Sequence, residues 1–140
     1  MCGIIGFTGQ GNAIKKIITG LKKLEYRGYD SWGIAVQTKE GLAVQKKVGR
    51  IGNTDSNSTG LRDGSTAIGH TRWATTGKVN DQNAHPFLDQ NQQFSIVHNG
   101  IIENYLELKE ELRQEGVKFT SDTDSEVMVH LIARYYQGNL

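Results

Sequence analysis

The run Met1-Cys2-Gly3-Ile4-Ile5-Gly6-Phe7-Thr8 opens the chain and organises the reading of everything after it. Apolar, β-prone residues follow the only cysteine, which predicts a buried strand with a thiol at its head. A second residue as small as Cys normally permits removal of the initiator methionine. Cys2 would then carry a thiol and an α-amine together. The ordinary pKa values are about 8.5 for the thiol and about 7.7–8.0 for the amine, so roughly a sixth of the amine is neutral at pH 7. That fraction is enough for a base, and the thiol needs one, because unaided only about a few per cent is thiolate. Gly3 and Gly6 leave room for close backbone approach. Taken alone, a cysteine here is more often an inert residue of an ordinary strand. The rest of the chain must decide.

With 140 residues, 36% hydrophobic and 22% charged, the chain is long enough for one soluble domain with its own core. Sixteen basic and fifteen acidic residues give a net charge of +1, which implies neither a nucleic-acid nor a membrane partner. A single cysteine excludes an internal disulfide and fits a reducing cytoplasm. No apolar stretch reaches the ~20 residues of a membrane span, and no signal peptide is visible. Seventeen glycines against one proline predict many tight turns and close approaches.

Ile14, Ile17, Ile18, Leu21 and Leu24 recur at helical spacing, with lysines on the other side, and predict an amphipathic helix after the first strand. Residues 26–33 are too dense in polar and aromatic groups for a mere linker. Ile34–Val36 and Leu42–Val44 read as strands of a hairpin turning at Lys39-Glu40-Gly41, and residues 52–65 as a polar loop. Two short strands, Thr66–Gly69 and Phe94–Val97, each run into a polar cluster. A helix from about Glu103 to Glu115 with Leu106, Leu108 and Leu112 ends at Gly116. Val117–Thr120 reads as a strand. Thr123-x-x-Glu126 reads as a capping box before a helix through Met128, Leu131, Ile132 and Tyr135. The class is α+β, with strand ends presenting a site along one edge.

A cysteine nucleophile attacking an amide needs oxyanion donors and groups that hold the substrate. Asn99-Gly100 offers a side-chain amide and a backbone N–H, although the pair alone is more often an ordinary turn closing a hairpin. Arg72 suits bidentate recognition of a carboxylate, or a surface salt bridge. Asp124, in the first turn of a capped helix, suits a substrate ammonium, or simply the helix dipole, the commoner role. His70, His85 and His98 lack metal-ligand spacing, so no metal is expected. Gly9-x-Gly11 lacks the rest of a phosphate-loop fingerprint, and no serine has a nucleophile-elbow context.

Taken together, Met1–Gly6, Leu24-Glu25-Tyr26-Arg27-Gly28-Tyr29-Asp30-Ser31, His70–Thr75, Asn83-Ala84-His85-Pro86 and Val97–Asn104 resemble one family. They are similar to the glutaminase domain of class II glutamine amidotransferases, the N-terminal-nucleophile kind. The Tyr26–Ser31 and Thr71–Thr75 stretches resemble the branch that uses fructose 6-phosphate more than amidophosphoribosyltransferases or asparagine synthetases. The resemblance implies a four-layer α/β/β/α sandwich, expected to be incomplete in residues 1–140. It implies Cys2 as nucleophile with its own α-amine as base, and Asn99 and Gly100 as the oxyanion hole. Arg72 and Asp124 would hold the α-carboxylate and α-ammonium of glutamine, with Thr75 contacting the substrate. Trp73 would stand where ammonia leaves, and Arg27 would lie close enough to Cys2 to lower its pKa values.

No cofactor is implied. Fructose 6-phosphate would be bound only by an isomerase domain absent from residues 1–140, and the complete enzyme would be a homo-oligomer. Three departures stand out: Thr76 replaces the family's His, Trp32 replaces a small residue, and the chain stops at Leu140 where the family's domain continues. Two rivals stay open. One is the glutaminase domain of another amidotransferase, and the other is a catalytically silent glutamine-binding module.

Overall fold

The computed structural model describes residues 1–75 and 77–138, so the departures at Thr76 and at the chain end, Leu140, lie outside the described residues. Strands β1 (Gly3–Thr8), β2 (Ser31–Thr38), β3 (Gly41–Val48) and β4 (Thr66–Arg72) form an antiparallel sheet in the order β1-β4-β2-β3. Helix α1 (Ala13–Leu24) covers one face of it. Its start is set by Asn12, whose side chain accepts from the Lys15 N–H at 2.6 Å. Ala13, Ile14, Ile17, Ile18 and Leu21 then meet Trp32, Ile34 and Val36 of β2 in a single apolar core.

The opposite face of β2 is also covered. Strands β5 (Phe87–Leu88) and β6 (Ser95–Ile96) form a short antiparallel ribbon. A Cβ on Gly33 would run into the carbonyl oxygen of His85, so glycine is what lets the two layers approach. Beyond the ribbon lie α3 (Glu126–Tyr135) and, packed on it, α2 (Tyr105–Gln114). The layer order is therefore helix, sheet, ribbon, helices, an α/β/β/α arrangement. Among the described residues, no helix is long and apolar enough to cross a membrane.

Several local expectations are corrected. The opening strand is not buried throughout: β1 is an edge strand, only its α1 face is covered, and Ile4 is 42% exposed. Strand β4 does not stop at Gly69 but runs on through His70 and Thr71 to Arg72, because β1 and β2 pair with it on both sides. Residues 117–120 are not a strand. Their N–H groups go elsewhere, Val117 donating to the Leu112 carbonyl, Lys118 to the Gln90 side chain and Thr120 to that of Glu126.

The capping box does not form either. The Glu126 carboxylate accepts from the N–H and hydroxyl groups of Thr120 and Ser121, while Thr123 bonds the Ser121 hydroxyl. In α3 the buried residues are Glu126, Val127, Val129 and His130, and Tyr135 faces solvent. In α2, Leu106 is exposed, and Lys109 is buried beside Leu112. Ribbon strand β5 carries too little periodicity to be seen in the sequence. Trp32 is accommodated inside the α1 core rather than in the loop around Arg27.

Candidate active site

The register of β1 and β4 places Gly3 opposite Thr71, so Cys2, one residue earlier, comes opposite Arg72. Side chains facing each other across an antiparallel pair share a face. Cys2 and Arg72 therefore project to the ribbon side of the sheet, where α1 does not reach. A cavity of about 490 Å³ opens there. Cys2, Arg27, Arg72, Trp73, Thr75, Asn99, Gly100 and Asp124 all line it. Every residue singled out in the sequence thus meets the same space.

The thiol sits against the backbone that follows β4. The Trp73 N–H donates to Cys2 Sγ at 3.2 Å, and the thiol reaches the Trp73 carbonyl at 3.5 Å. That backbone is fixed from the other side by Asp30, whose carboxylate accepts from the Ala74 N–H at 2.8 Å and whose N–H donates to the Arg72 carbonyl at 3.0 Å. Gly28 makes the approach possible. A Cβ there would stand 2.7 Å from the Arg72 carbonyl carbon and 2.9 Å from Trp73 N. The polar-aromatic run 26–33 is explained by this clamp.

Arg72 and Asp124 are both buried, at 4% and 6% exposure. Burial pushes the Arg72 pKa below its ordinary value, while Cys2, Asp30 and Asp124 pull it back up. The guanidinium donates to the Lys78 carbonyl at 3.2 Å, and Asp124 accepts from the Ile102 N–H at 2.8 Å. Each charge is thus held in place on its own side of the cavity. Trp73 is 44% exposed and packs edge-on to Tyr29, with ring centroids 5.5 Å apart. Thr75 is exposed at the rim. The Arg27 guanidinium reaches the thioether of Met1 at 3.8 Å, and Met1 itself lines the cavity.

The Asn99 amide bridges the two halves of the site. Its Nδ2 donates to the Cys2 carbonyl at 3.2 Å, and its Oδ1 lies 2.8 Å from His70 Nε2. Gly100 lies against the His98 ring, where a Cβ would come within 2.7 Å of Nε2, and His98 Nδ1 is 3.0 Å from the Ser125 hydroxyl. His70 is fully buried and stacks on His85 at 4.2 Å. Burial pushes the pKa of His70 down to about 4 and that of His85 to about 2, so both rings are neutral at pH 7.

Sequence reasoning missed His70, Asp30, His98 and Ser125 as parts of this site. For His70 a signal exists: it sits two residues before Arg72 in β4 and so on the same face. That relation appears only once β4 is known to extend to Arg72. Asp30 carries no such signal, because the N–H its carboxylate accepts from, that of Ala74, lies 44 residues away.

Residues 51–139 match the family model described as a glutamine amidotransferase domain. Over 141 residues the chain is 54% identical to the glutamine–fructose-6-phosphate aminotransferase (isomerizing) of Aquifex aeolicus, covering 100% of this chain and 24% of that protein. The protein of the same name from Fusobacterium nucleatum is 49% identical, over 100% of this chain and 23% of that protein. The chain thus spans about a quarter of the length of these curated relatives. The solved structure of the glutamine phosphoribosylpyrophosphate amidotransferase of B. subtilis superimposes with a TM-score of 0.76 at 32% identity, over 98% of this chain and 30% of that one. The family match covers more than half of the chain, with Arg72, Asn99, Gly100 and Asp124 inside it, and on that ground the chain belongs to the glutamine amidotransferase domain family.

Proposed function

We propose that this chain holds the glutamine-hydrolysing site of an amidotransferase, with Cys2 as the nucleophile. The observation that carries the reading is the single cavity that gathers a thiol, a guanidinium, a carboxylate and the Asn99-Gly100 pair. Arg72 takes the α-carboxylate of glutamine and Asp124 its α-ammonium, which leaves the side-chain amide to reach Cys2. The thiolate attacks the amide carbon, and the oxygen that becomes negative is stabilised by Asn99 Nδ2 and the Gly100 N–H. Collapse breaks the C–N bond as the protonated α-amine of Cys2 hands its proton to the leaving nitrogen, and ammonia departs past Trp73. Water then hydrolyses the thioester to glutamate and restores the thiol.

The proton from the thiol goes to the α-amine of Cys2, which is free only after Met1 is removed. With Met1 attached that nitrogen is an amide and accepts no proton at neutral pH, and Met1 also occupies space in the cavity. Residues 1–140 serve as the N-terminal part of a class II glutaminase domain. The acceptor is fructose 6-phosphate, a choice supported by 54% identity to the aminotransferase against 32% to the phosphoribosyl enzyme.

The test uses the intact protein, with intact-mass measurement of its N-terminus. The form beginning at Cys2 is expected to release ammonia from glutamine, and the form retaining Met1 is not. Cys2→Ala is expected to abolish hydrolysis while glutamine binding persists through Arg72 and Asp124. Equal activity with and without Met1 would remove the α-amine from the mechanism. A protein that binds glutamine but never shows the mass of a Cys2 thioester would be a silent binding module instead.

A further inference from the structure

We infer that His70 is the positioning residue of the oxyanion hole: its Nε2–H fixes which way the Asn99 amide faces. The inference rests on the hydrolytic reading above. An Asn side chain presents an acceptor at one end and donors at the other, and only the donor end can stabilise an oxyanion. The Cys2 carbonyl has no hydrogen to give, so the end of Asn99 that meets it at 3.2 Å must be Nδ2. Oδ1 then points to His70 Nε2 at 2.8 Å, and that nitrogen must carry a proton. A neutral imidazole has one N–H, so the tautomer is settled by the same step.

The surroundings keep the ring in that role. His70 has no exposed surface, pairs with Ile4 and Gly33 inside the sheet register, and is stacked on His85. Arg72 and His98 are the other groups that bear on its charge. A ring so confined cannot rotate away, and Asn99 inherits that rigidity although it lies on a loop after β6. The competing arrangement puts the proton on Nδ1, toward the His98 backbone. Nε2 would then be an acceptor, the Asn99 amide would turn over, and Oδ1 would face the Cys2 carbonyl oxygen. Two oxygens would be in contact and the donor would be lost from the site.

The experiment takes the intact protein and replaces His70 by Leu, which removes the donor at similar volume, and by Gln, whose side-chain N–H reaches roughly where Nε2 stands. His70→Leu is expected to lower kcat for glutamine hydrolysis about 10–100-fold with KM changed less than about threefold, and His70→Gln to recover most of that loss. In an Asn99→Ala background, His70→Leu is expected to add almost nothing. Full additivity of the two changes, or a loss confined to KM, would overturn the proposal.

Nitrogen-15 NMR of the His70 ring in the unaltered protein supplies a readout that needs neither folded variants nor activity. A protonated Nε2 with a bare Nδ1 is expected, and the reverse tautomer would overturn the proposal even in an active protein. If the unaltered protein, beginning at Cys2, hydrolyses no glutamine, the hydrolytic reading fails, while the NMR result still decides the tautomer.

Discussion

Between α1 and the four-stranded sheet the buried side chains are almost all hydrocarbon; between the ribbon and α3 most are polar or charged. The first region packs Ile14, Ile17, Leu21, Ile34 and Val36 around Trp32. The second buries Asp89, Lys109, Ser121, Thr123, Glu126 and His130. Most of these find a hydrogen-bond partner in the backbone or in one another: Lys109 reaches the Ser121 carbonyl, Asp89 holds the N–H groups of residues 91, 93 and 94, and Glu126 collects four donors from residues 120 and 121. Hydrophobic burial tolerates small shifts, whereas a hydrogen-bonded network specifies one geometry. The cavity lies on the seam. Cys2 and Arg72 reach it from the strands whose other face builds the apolar region, and Asn99 and Asp124 reach it from the side of the polar one.

The contrast is broken most severely from the apolar side. Leu21→Ala removes a side chain with no exposed surface and leaves a cavity between helix and sheet, at a cost of about 2–5 kcal/mol. Native-state hydrogen exchange is expected to show the loss first in the amides of α1, β1 and β4, with α3 less affected. Uniform loss over both regions would mean that they unfold as one unit and that the division is only compositional.

From the polar side the expected effect is smaller but more local. Burial by itself would raise the pKa of Glu126, yet the His130 ring nitrogen 3.6 Å away and hydrogen bonds from Ser121 and Thr120 outweigh it and hold the carboxyl at about 2. Glu126→Gln sets an NH₂ against N–H and hydroxyl donors and is expected to cost about 1–3 kcal/mol at pH 7. Protection should fall in residues 118–130 and not in α1. The pKa is lowered on folding, so this contribution is complete above the unfolded value near 4.5 and is lost as pH falls through about 2. The Gln variant and the parent should therefore converge in acid. A difference that persists unchanged to pH 2 would show that the charge is not what matters.

The seam itself is sharpened by Gly28→Ala. The added methyl would meet the Arg72 and Trp73 backbone, at a cost of about 1–3 kcal/mol from overpacking. The displaced N–H is the one that touches Cys2 Sγ, so glutamine turnover is expected to fall by at least about tenfold. A variant destabilised to that degree but fully active would remove the clamp from the catalytic account.

How much of this was readable beforehand follows the same division. Helix α1 and the hairpin of β2 and β3 are announced by apolar spacing, because hydrophobic periodicity is what builds that region. The polar region gives no such signal. Thr123-x-x-Glu126 has the spacing of a capping box, yet Glu126 turns back to Ser121 and Thr120, a choice made by tertiary packing. Val117–Thr120 has the composition of a strand and no strand to pair with. The candidate site residues were singled out through the resemblance of their motifs to one family, since Cys2, Arg72, Asn99 and Asp124 each had an ordinary structural role open to them when taken alone. Their supports were not, because Asp30 and His70 act through residues far away in the chain.

The last and smallest effect tests whether the histidine stack at the seam is a structural liability in acid. His70 and His85 are stacked at 4.2 Å, and His85 also meets Phe87 edge-on at 4.5 Å. Desolvation lowers both pKa values, and for His85 the neighbouring His70, Arg72 and His98 lower it further. In the unfolded chain each ring takes up its proton near pH 6.5, whereas in the folded protein His70 waits until about 4 and His85 until about 2. The unfolded state therefore binds more protons below pH 6.5, and stability is expected to decline as pH falls. Well below that pH the slope is about 1.4 kcal/mol per pH unit for each ring until it titrates in the folded state. His85→Phe removes one of the two groups while keeping an aromatic surface against His70 and Phe87. Its stability between pH 6.5 and pH 4, followed by exchange of the β4 amides, should fall with about half the parent's histidine-linked slope. An unchanged slope would mean that His85 is protonated in the folded protein as readily as in the unfolded chain, and that the stack does not keep protons out.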